Sequence, residues 1–383
     1  MKSIAVLTGT RAEYGLLKPL LTLIRNSDTC ELVLIVTGSH LSHEFGLTYK
    51  EIEADGFPIS FKADSLLSSD SGAAISKSIA LGLISCADIF SRQKFDVLVV
   101  LGDRTELLSA CIAALVEGIP IAHISGGETT EGAYDEAIRH SITKMSYIHF
   151  AATDIYAKRI RQLGESADRV YVTGALGIDN IKRLTLLDRR ATEESLGIQF
   201  REKNILITFH PVTLESQTAE SQVAELLASL DGLEDTLLIF TKPNADKDGR
   251  VIIRMLERYV EERKDRAILF SSLGQLRYLS TLQFVDMVVG NSSSGIIEVP
   301  YFRIPTLNIG DRQKGRIMCD SIINVQETRT SITAGIEKAY SKEFRSQAET
   351  MELPYGDGNA ANRIFDVLRK FSTISLKKSF VDL

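Results

Sequence analysis

No C-x-x-C pair, no block of basic residues and no G-x-G-x-x-G fingerprint occur in this 383-residue sequence. Its four cysteines (Cys30, Cys86, Cys111 and Cys319) are widely separated, so reduced and mostly buried thiols are expected. Lysine and arginine total 44 against 50 aspartates and glutamates, a formal charge of -6. A nucleic-acid binder ordinarily presents a basic face, so that partner is not expected. The first apolar run, residues 2–7, stops at Thr8-Gly9, short of what a secretory signal needs. No stretch is read as long enough to span a membrane, and a soluble, cytoplasmic protein without a membrane partner is the expectation. H-E-x-x-H, a cysteine cluster and a Walker loop are also absent, which argues against metal hydrolases and P-loop enzymes. No metal is expected, and no dinucleotide cofactor.

What is present is an ordinary globular composition, 44% hydrophobic and 25% charged, on a chain too long for one core. Short runs rich in valine and isoleucine alternate with longer amphipathic stretches. Residues 3–7, 31–36, 95–101, 120–123 and 148–151 read as buried strands, with helices over 15–25, 71–93, 106–117 and 135–145 between them. After a charged helical stretch through 183–190 the alternation restarts. Strands are expected at 204–208, 236–241, 266–270, 287–290 and 305–308, with helices at 221–229, 249–262 and 273–281. Such alternation predicts parallel sheets covered on both faces. The fold class is therefore α/β, with two Rossmann-like domains over residues 1–180 and 181–358. The final helix, within 359–383, is expected to cross back onto the first domain. Ligands of open parallel sheets lie beyond the carboxyl ends of the strands, so chemistry is sought in the strand-end loops.

The loop after the first strand reads Thr8-Gly9-Thr10-Arg11-Ala12-Glu13-Tyr14-Gly15. A glycine turn into a helix start directs N–H groups at an anion, and Arg11 adds a bidentate donor, although any strand–helix junction needs such a turn. In Gly102-Asp103-Arg104-Thr105-Glu106, Asp103 either caps the next helix or, with Arg104, suits a site beside a bound phosphate. Acidic residues crowd most closely around His123-Ile124-Ser125-Gly126-Gly127-Glu128 and the segment ending Tyr134-Asp135-Glu136-Ala137-Ile138-Arg139-His140. Glu128, Glu131, Asp135 and Glu136 repel one another at this spacing, which predicts a raised pKa in at least one and suits proton transfer at carbon. Arg139 and His140 lie one turn on, within reach of Asp135 and Glu136. In the second half, Pro211 fixes an extended turn around His210, a phosphate donor or general acid at a strand end. Asn244 ends the next strand loop. Gly290-Asn291-Ser292-Ser293-Ser294-Gly295-Ile296-Ile297-Glu298 suits either a diphosphate at a helix start or a plain serine cap. Glu298, about one turn on, suits ribose hydroxyls, and Arg312 is a further strand-end cation.

Taken in order, TGTRAEYG, GDRTE, HISGGE with GAYDEAIRH, TFHPVT, NSSSGIIE and NIGDRQKGR make the chain resemble the hydrolysing branch of the UDP-N-acetylglucosamine 2-epimerase family. The resemblance implies a GT-B architecture, two facing Rossmann-like domains with the ligand cleft between them. It implies nucleotide contacts from Arg11, Arg104, His210, Asn244, Ser292, Ser293, Glu298 and Arg312, and a backbone contact to the base from Leu273. It assigns the catalytic carboxylates to Asp103, Glu128 and Asp135, with His210 beside them. Ser125 stands where other branches carry a glutamate, and Gly15 where some members carry a phosphate-contacting serine or lysine. The implied reaction is anti elimination of UDP to a 2-acetamidoglucal, then hydration with inversion at C2. It gives N-acetylmannosamine for sialic-type acids and needs no NAD or other cofactor. UDP- or GDP-linked N,N'-diacetylbacillosamine, on the way to legionaminic acid, is the alternative substrate, and a GT-B glycosyltransferase is the alternative from another class. A UDP-sugar is the expected partner, and a homodimer or homotetramer the family's expected assembly.

Overall fold

The computed structural model describes residues 1–69, 71–131, 133–212, 218–243, 249–372 and 375–382; Asn244 and the Thr213 end of TFHPVT lie outside the described residues. The chain divides into two compact units. Unit 1 comprises Met1–Glu128, Asp135–Lys182 and Tyr355–Leu383, and unit 2 comprises Thr129–Tyr134 and Arg183–Pro354. The short Thr129–Tyr134 segment, expected with the first half, thus belongs to unit 2, where the Arg316 side chain donates to the Thr129 carbonyl at 3.1 Å.

Unit 1 is built on β1 (Lys2–Thr8), β2 (Cys30–Thr37), β3 (Phe61–Ala63), β4 (Val97–Leu101), β5 (Ile121–Ile124), β6 (Ile148–Ala151) and β7 (Val170–Val172). These pair in parallel in the order β3-β2-β1-β4-β5-β6-β7. A parallel sheet covered on both faces needs strands without a polar side, and Ile4, Val6, Leu7, Val97, Leu98, Val99 and Val100 are all fully buried. Each such aliphatic contributes about 1.5–3 kcal/mol by leaving water. Helix Arg11–Arg25 starts with a reciprocal cap: Thr10 Oγ1 accepts the Glu13 N–H at 3.3 Å, and Glu13 Oε2 accepts the Gly9 N–H at 2.7 Å.

Helix Ala360–Lys370 also belongs to unit 1, burying Ala360, Ala361, Ile364 and Leu368 in the same core as β1. Asp179 caps it from elsewhere in the chain, its two carboxylate oxygens accepting the Ala360 and Ala361 N–H groups at 2.8 and 2.7 Å. At the other end, Lys2 Nζ donates to the carbonyls of Leu368 and Arg369 at 3.1 and 2.9 Å, a cation placed where the helix dipole favours one.

Beyond that helix, Lys378 reaches the buried carboxylate of Glu165 at 2.9 and 2.8 Å, alongside Lys144 at 2.8 Å and His149 Nε2 at 3.1 Å. Burial alone would raise the Glu165 pKa, but the hydrogen bonds from His149, Lys144 and Lys378 outweigh it and hold the group at about 2. A carboxyl with a depressed folded pKa stabilises above its unfolded value of 4.5, and that contribution is lost as pH falls towards 2. Urea unfolding between pH 5 and pH 3 is therefore expected to show wild-type stability declining more steeply than that of Glu165→Gln. Parallel pH slopes would remove this role from Glu165.

Unit 2 is built on β8 (Lys203–Thr208), β9 (Thr236–Thr241), β10 (Ala267–Phe270), β11 (Met287–Gly290), β12 (Thr306–Ile309) and β13 (Ile322–Val325). They are parallel, in the order β10-β9-β8-β11-β12-β13. Strand order reverses between β1 and β4 in unit 1 and between β8 and β11 in unit 2. Crevices at such reversals are where doubly wound sheets take ligands.

Two expectations are corrected. Residues 183–190 are not one helix: Leu176–Arg183 ends there, and Arg189–Leu196 begins under an Asp188 cap that accepts the Ala191 N–H at 2.8 Å. A strong cap starts a new helix instead of continuing the old one. Helix Gly72–Arg92 is, by length and composition, apolar enough to cross a membrane, although no such stretch was expected. Its polar positions are largely serines, which lower mean hydropathy little. It buries Ala74, Gly82, Cys86 and Phe90 and leaves Leu81 and Ile84 exposed.

Candidate active site

In unit 1 the β4 loop turns at Gly102, which has φ +90°, and delivers Asp103. Arg104, not Asp103, occupies the cap position of helix Thr105–Val116. Asp103 instead forms an ion pair through Oδ2 with Nη2 of Arg139, a guanidinium only 3% exposed. Burial opposes the charge on Arg139, yet Asp103, Glu128, Glu136 and Asp135 together raise its pKa above the ordinary value. Three chain segments thus converge on one cation: the β4 end with Asp103, the β5 loop with Glu128, and the start of helix Asp135–Met145 with Asp135 and Glu136. The crowded carboxylates thus have a buried guanidinium among them as counter-charge, and that guanidinium's ion pair is with Asp103. His140 Nε2 lies 3.0 Å from Glu136 Oε1, the contact its spacing predicts.

The loops under this cluster are tightly specified. His123 is fully buried, with Nε2 2.8 Å from the Gly102 carbonyl and Nδ1 3.1 Å from Thr143 Oγ1. Burial lowers its pKa to about 3, so the ring is neutral. A carbonyl can only accept, so Nε2–H donates to Gly102 and steadies the turn that carries Asp103. Ser125, at the end of β5, has φ +65°, a conformation costing a non-glycine residue about 1–3 kcal/mol and typical of functional loops. Gly127 has φ +74°, and a Cβ there would stand 2.2 Å from the Tyr156 carbonyl oxygen, so the turn before Glu128 requires glycine.

Glu13 is 6% exposed, and its Oε1 has no hydrogen-bond partner among the described residues. Burial pushes its carboxyl up to about 8, with Glu106 adding to the shift and the Gly9 N–H and Arg104 opposing it. A raised carboxyl therefore lies behind the β1 loop, a place the sequence reading did not single out. The two cations expected to meet phosphate in this unit have carboxylate neighbours: Arg11 Nε is 2.7 Å from Glu51 Oε2, and Arg104 Nε is 3.7 Å from Glu106 Oε2.

In unit 2 the reversal between β8 and β11 is held by Asn291, which is fully buried. Its Oδ1 accepts the His210 N–H at 2.7 Å, and its Nδ2 donates to the His210 carbonyl at 2.8 Å. The Asn291 carbonyl accepts Gln313 Nε2 at 2.8 Å and Arg312 Nη1 at 3.1 Å. One asparagine thus ties the ends of β8, β11 and β12 together and fixes His210 and Arg312 around Ser292. Ser292 holds the cap position of helix Ser293–Ile297 without a side-chain capping bond, so its hydroxyl is not consumed as a plain cap. Ser294 Oγ bonds the Tyr278 hydroxyl. Glu298 ends the helix; burial raises its pKa, with a hydrogen bond to Ser294 opposing. Leu273 is buried at the start of helix Gly274–Leu282, and its carbonyl accepts Arg277 Nε at 2.8 Å. No cluster of three or more histidine, cysteine or acidic side chains suited to a metal occurs among the described residues.

Sequence reasoning missed Asn291 as an organiser, Glu13 as a buried acid and the pairing of Arg139 with Asp103. Thr10-x-x-Glu13 carries the capping-box pattern that could have found the second. The other two depend on contacts 81 and 36 residues apart in sequence and left no local signal.

Each unit is a doubly wound parallel α/β domain with its candidate residues in strand-end loops. The family model described as UDP-N-acetylglucosamine 2-epimerase matches residues 23–369, and the chain belongs to that family. It is 41% identical to a GDP/UDP-N,N'-diacetylbacillosamine 2-epimerase (hydrolyzing) of Campylobacter jejuni, over 100% of this chain and 99% of that protein. It is 38% identical to polysialic acid biosynthesis protein P7 of Escherichia coli, over 100% of this chain and 98% of the relative. A solved UDP-GlcNAc 2-epimerase from Neisseria meningitidis, bound to UDP-GlcNAc, shares the fold with a TM-score of 0.79 at 20% identity, covering 97% of this chain and 100% of that one.

Proposed function

We propose that the protein is a hydrolysing 2-epimerase of an N-acetylated sugar nucleotide. A carboxylate takes the proton from C2 while the C1–O bond breaks and the nucleoside diphosphate leaves with its electron pair, forming a C1=C2 double bond. Water then adds its oxygen to C1, and a proton returns to C2 on the opposite face, so C2 inverts. The gathering of Asp103, Glu128 and Asp135 around one buried guanidinium carries this reading, because proton removal from carbon and its return need paired acid and base groups. In unit 1, Asp103, Glu128 and Asp135 are assigned the proton work, with Arg11 and Arg104 as phosphate donors. In unit 2, Ser292, Ser293, His210 and Arg312 are assigned to the diphosphate, Glu298 to the ribose, Leu273 and Asn244 to the nucleoside. Fixed donors aimed at the departing diphosphate supply the electrostatic stabilisation that is often the largest catalytic contribution.

UDP-N-acetylglucosamine is the simplest substrate. The 41% identity to the Campylobacter GDP/UDP-N,N'-diacetylbacillosamine 2-epimerase favours a second one, a UDP- or GDP-linked diacetamido-trideoxy sugar. Proton NMR of each reaction run in D₂O separates them. Release of UDP with N-acetylmannosamine deuterated at C2 supports the first substrate, and turnover of only the diacetamido sugar nucleotide keeps the chemistry while changing the sugar. Retention of the C2 proton, with sugar passed to an acceptor, would replace the epimerase by a glycosyltransferase.

A further inference from the structure

We infer that Arg139 is a positioning residue of the epimerase reaction, fixing Asp103 and supplying counter-charge to the neighbouring carboxylates. The inference rests on the function proposed above and assigns a part in it to a side chain outside the expected catalytic set.

The geometry distinguishes Arg139 from an ordinary structural arginine. Its side chain is 3% exposed and holds Asp103 through Nη2 alone, while Nε and Nη1 have no hydrogen-bond partner among the described residues. Buried donors are almost always satisfied, and a guanidinium retained only to hold a fold would spend its fork on fixed acceptors. Here the guanidinium feels the charge of the acids assigned to catalysis and bonds one of them. Four carboxylates face the guanidinium: Asp103 after β4, Glu128 after β5, and Asp135 and Glu136 on its own helix. His123 also senses it, and is neutral and committed to the Gly102 carbonyl. His140, on the same helix, lies beside Glu136 at 3.0 Å, so the ion pair with Asp103 is the contact that sets Arg139 apart. Without Arg139 the repulsion among these carboxylates would lack its counter-charge, which favours retention of a proton by one of them, and a protonated base cannot act.

Arg139→Met and Arg139→Lys test this against the wild-type enzyme on whichever sugar nucleotide it turns over. Lysine keeps the charge and loses the rigid fork, so kcat is expected to fall about 10-fold with the pH profile little changed. Methionine loses both; kcat is expected to fall about 100-fold, and the acidic limb of kcat/KM to move up by about one pH unit or more. UDP affinity, read by calorimetry, stays within about threefold in both. The inference is overturned if both variants keep kcat within threefold, or if the methionine variant loses rate with its acidic limb unmoved. Should the methionine variant not fold, the lysine variant decides alone: lost kcat at unchanged UDP affinity supports the inference, and unchanged kcat ends it. Failure of the wild type to turn over any sugar nucleotide would instead strike the proposed function itself.

Discussion

Asp135→Asn is expected to reduce turnover by about 10²–10⁴-fold, the range associated with one positioned acid or base, while leaving UDP binding nearly intact. Asparagine matches aspartate in size and can still accept a hydrogen bond, but it cannot take up a proton. Asp135 opens helix Asp135–Met145, where a carboxylate is favoured by the helix dipole and faces the guanidinium of Arg139. Neutralising it leaves Asp103, Glu128 and Glu136 beside that cation, so the local charge balance is disturbed but not reversed. The residues assigned to the nucleotide in unit 2 are untouched. Steady-state rates and calorimetric UDP titration on the same preparation decide the matter. Loss of UDP affinity along with turnover would make Asp135 a structural residue.

Gly290→Ala is expected to be the most damaging single methyl group in unit 2. Gly290 has φ +140°, which side chains rarely adopt, and a Cβ would stand 1.9 Å from the Thr208 carbonyl oxygen and 2.7 Å from its carbon. Both contacts are backbone of β8, so no rotamer change relieves them. β11 would have to part from β8 where Asn291 clamps His210, at a cost of at least about 3 kcal/mol. Gly197→Ala is the control: it also has positive φ, at +66°, but open space where the Cβ would go. Conformational strain alone costs about 1–2 kcal/mol there. Urea midpoints and UDP affinity should therefore fall sharply for Gly290→Ala and slightly for Gly197→Ala. Equal effects at the two glycines would show that β11 can move aside.

The central strands were legible because burial on both faces leaves them continuous apolar runs, as at residues 3–7 and 97–101. The edge strands β3, β7 and β13 were not, since partial exposure interrupts their apolar pattern: Tyr171 and Val172 of β7 are exposed, and so is Asn324 of β13. In the candidate site, strand-end position was enough to single out Asp103, Glu128, His210 and Ser292. What those residues touch was not readable, because Asp103 meets Arg139 and His210 meets Asn291 only after distant strands pair. The spacing rule that linked His140 to Glu136 works within one helix and says nothing about such meetings.

The return of helix Ala360–Lys370 to the core of unit 1 sets an order of assembly during synthesis. Chain leaves the ribosome amino end first, and domains tend to fold as their residues emerge. The main stretch of unit 2, Arg183–Pro354, is complete before Ala360, Ile364 and Leu368 exist to cover their side of the unit 1 core. Unit 1, although it begins first, is thus the last to close, and until then Asp179 has no helix start to cap and Lys2 no helix end to meet.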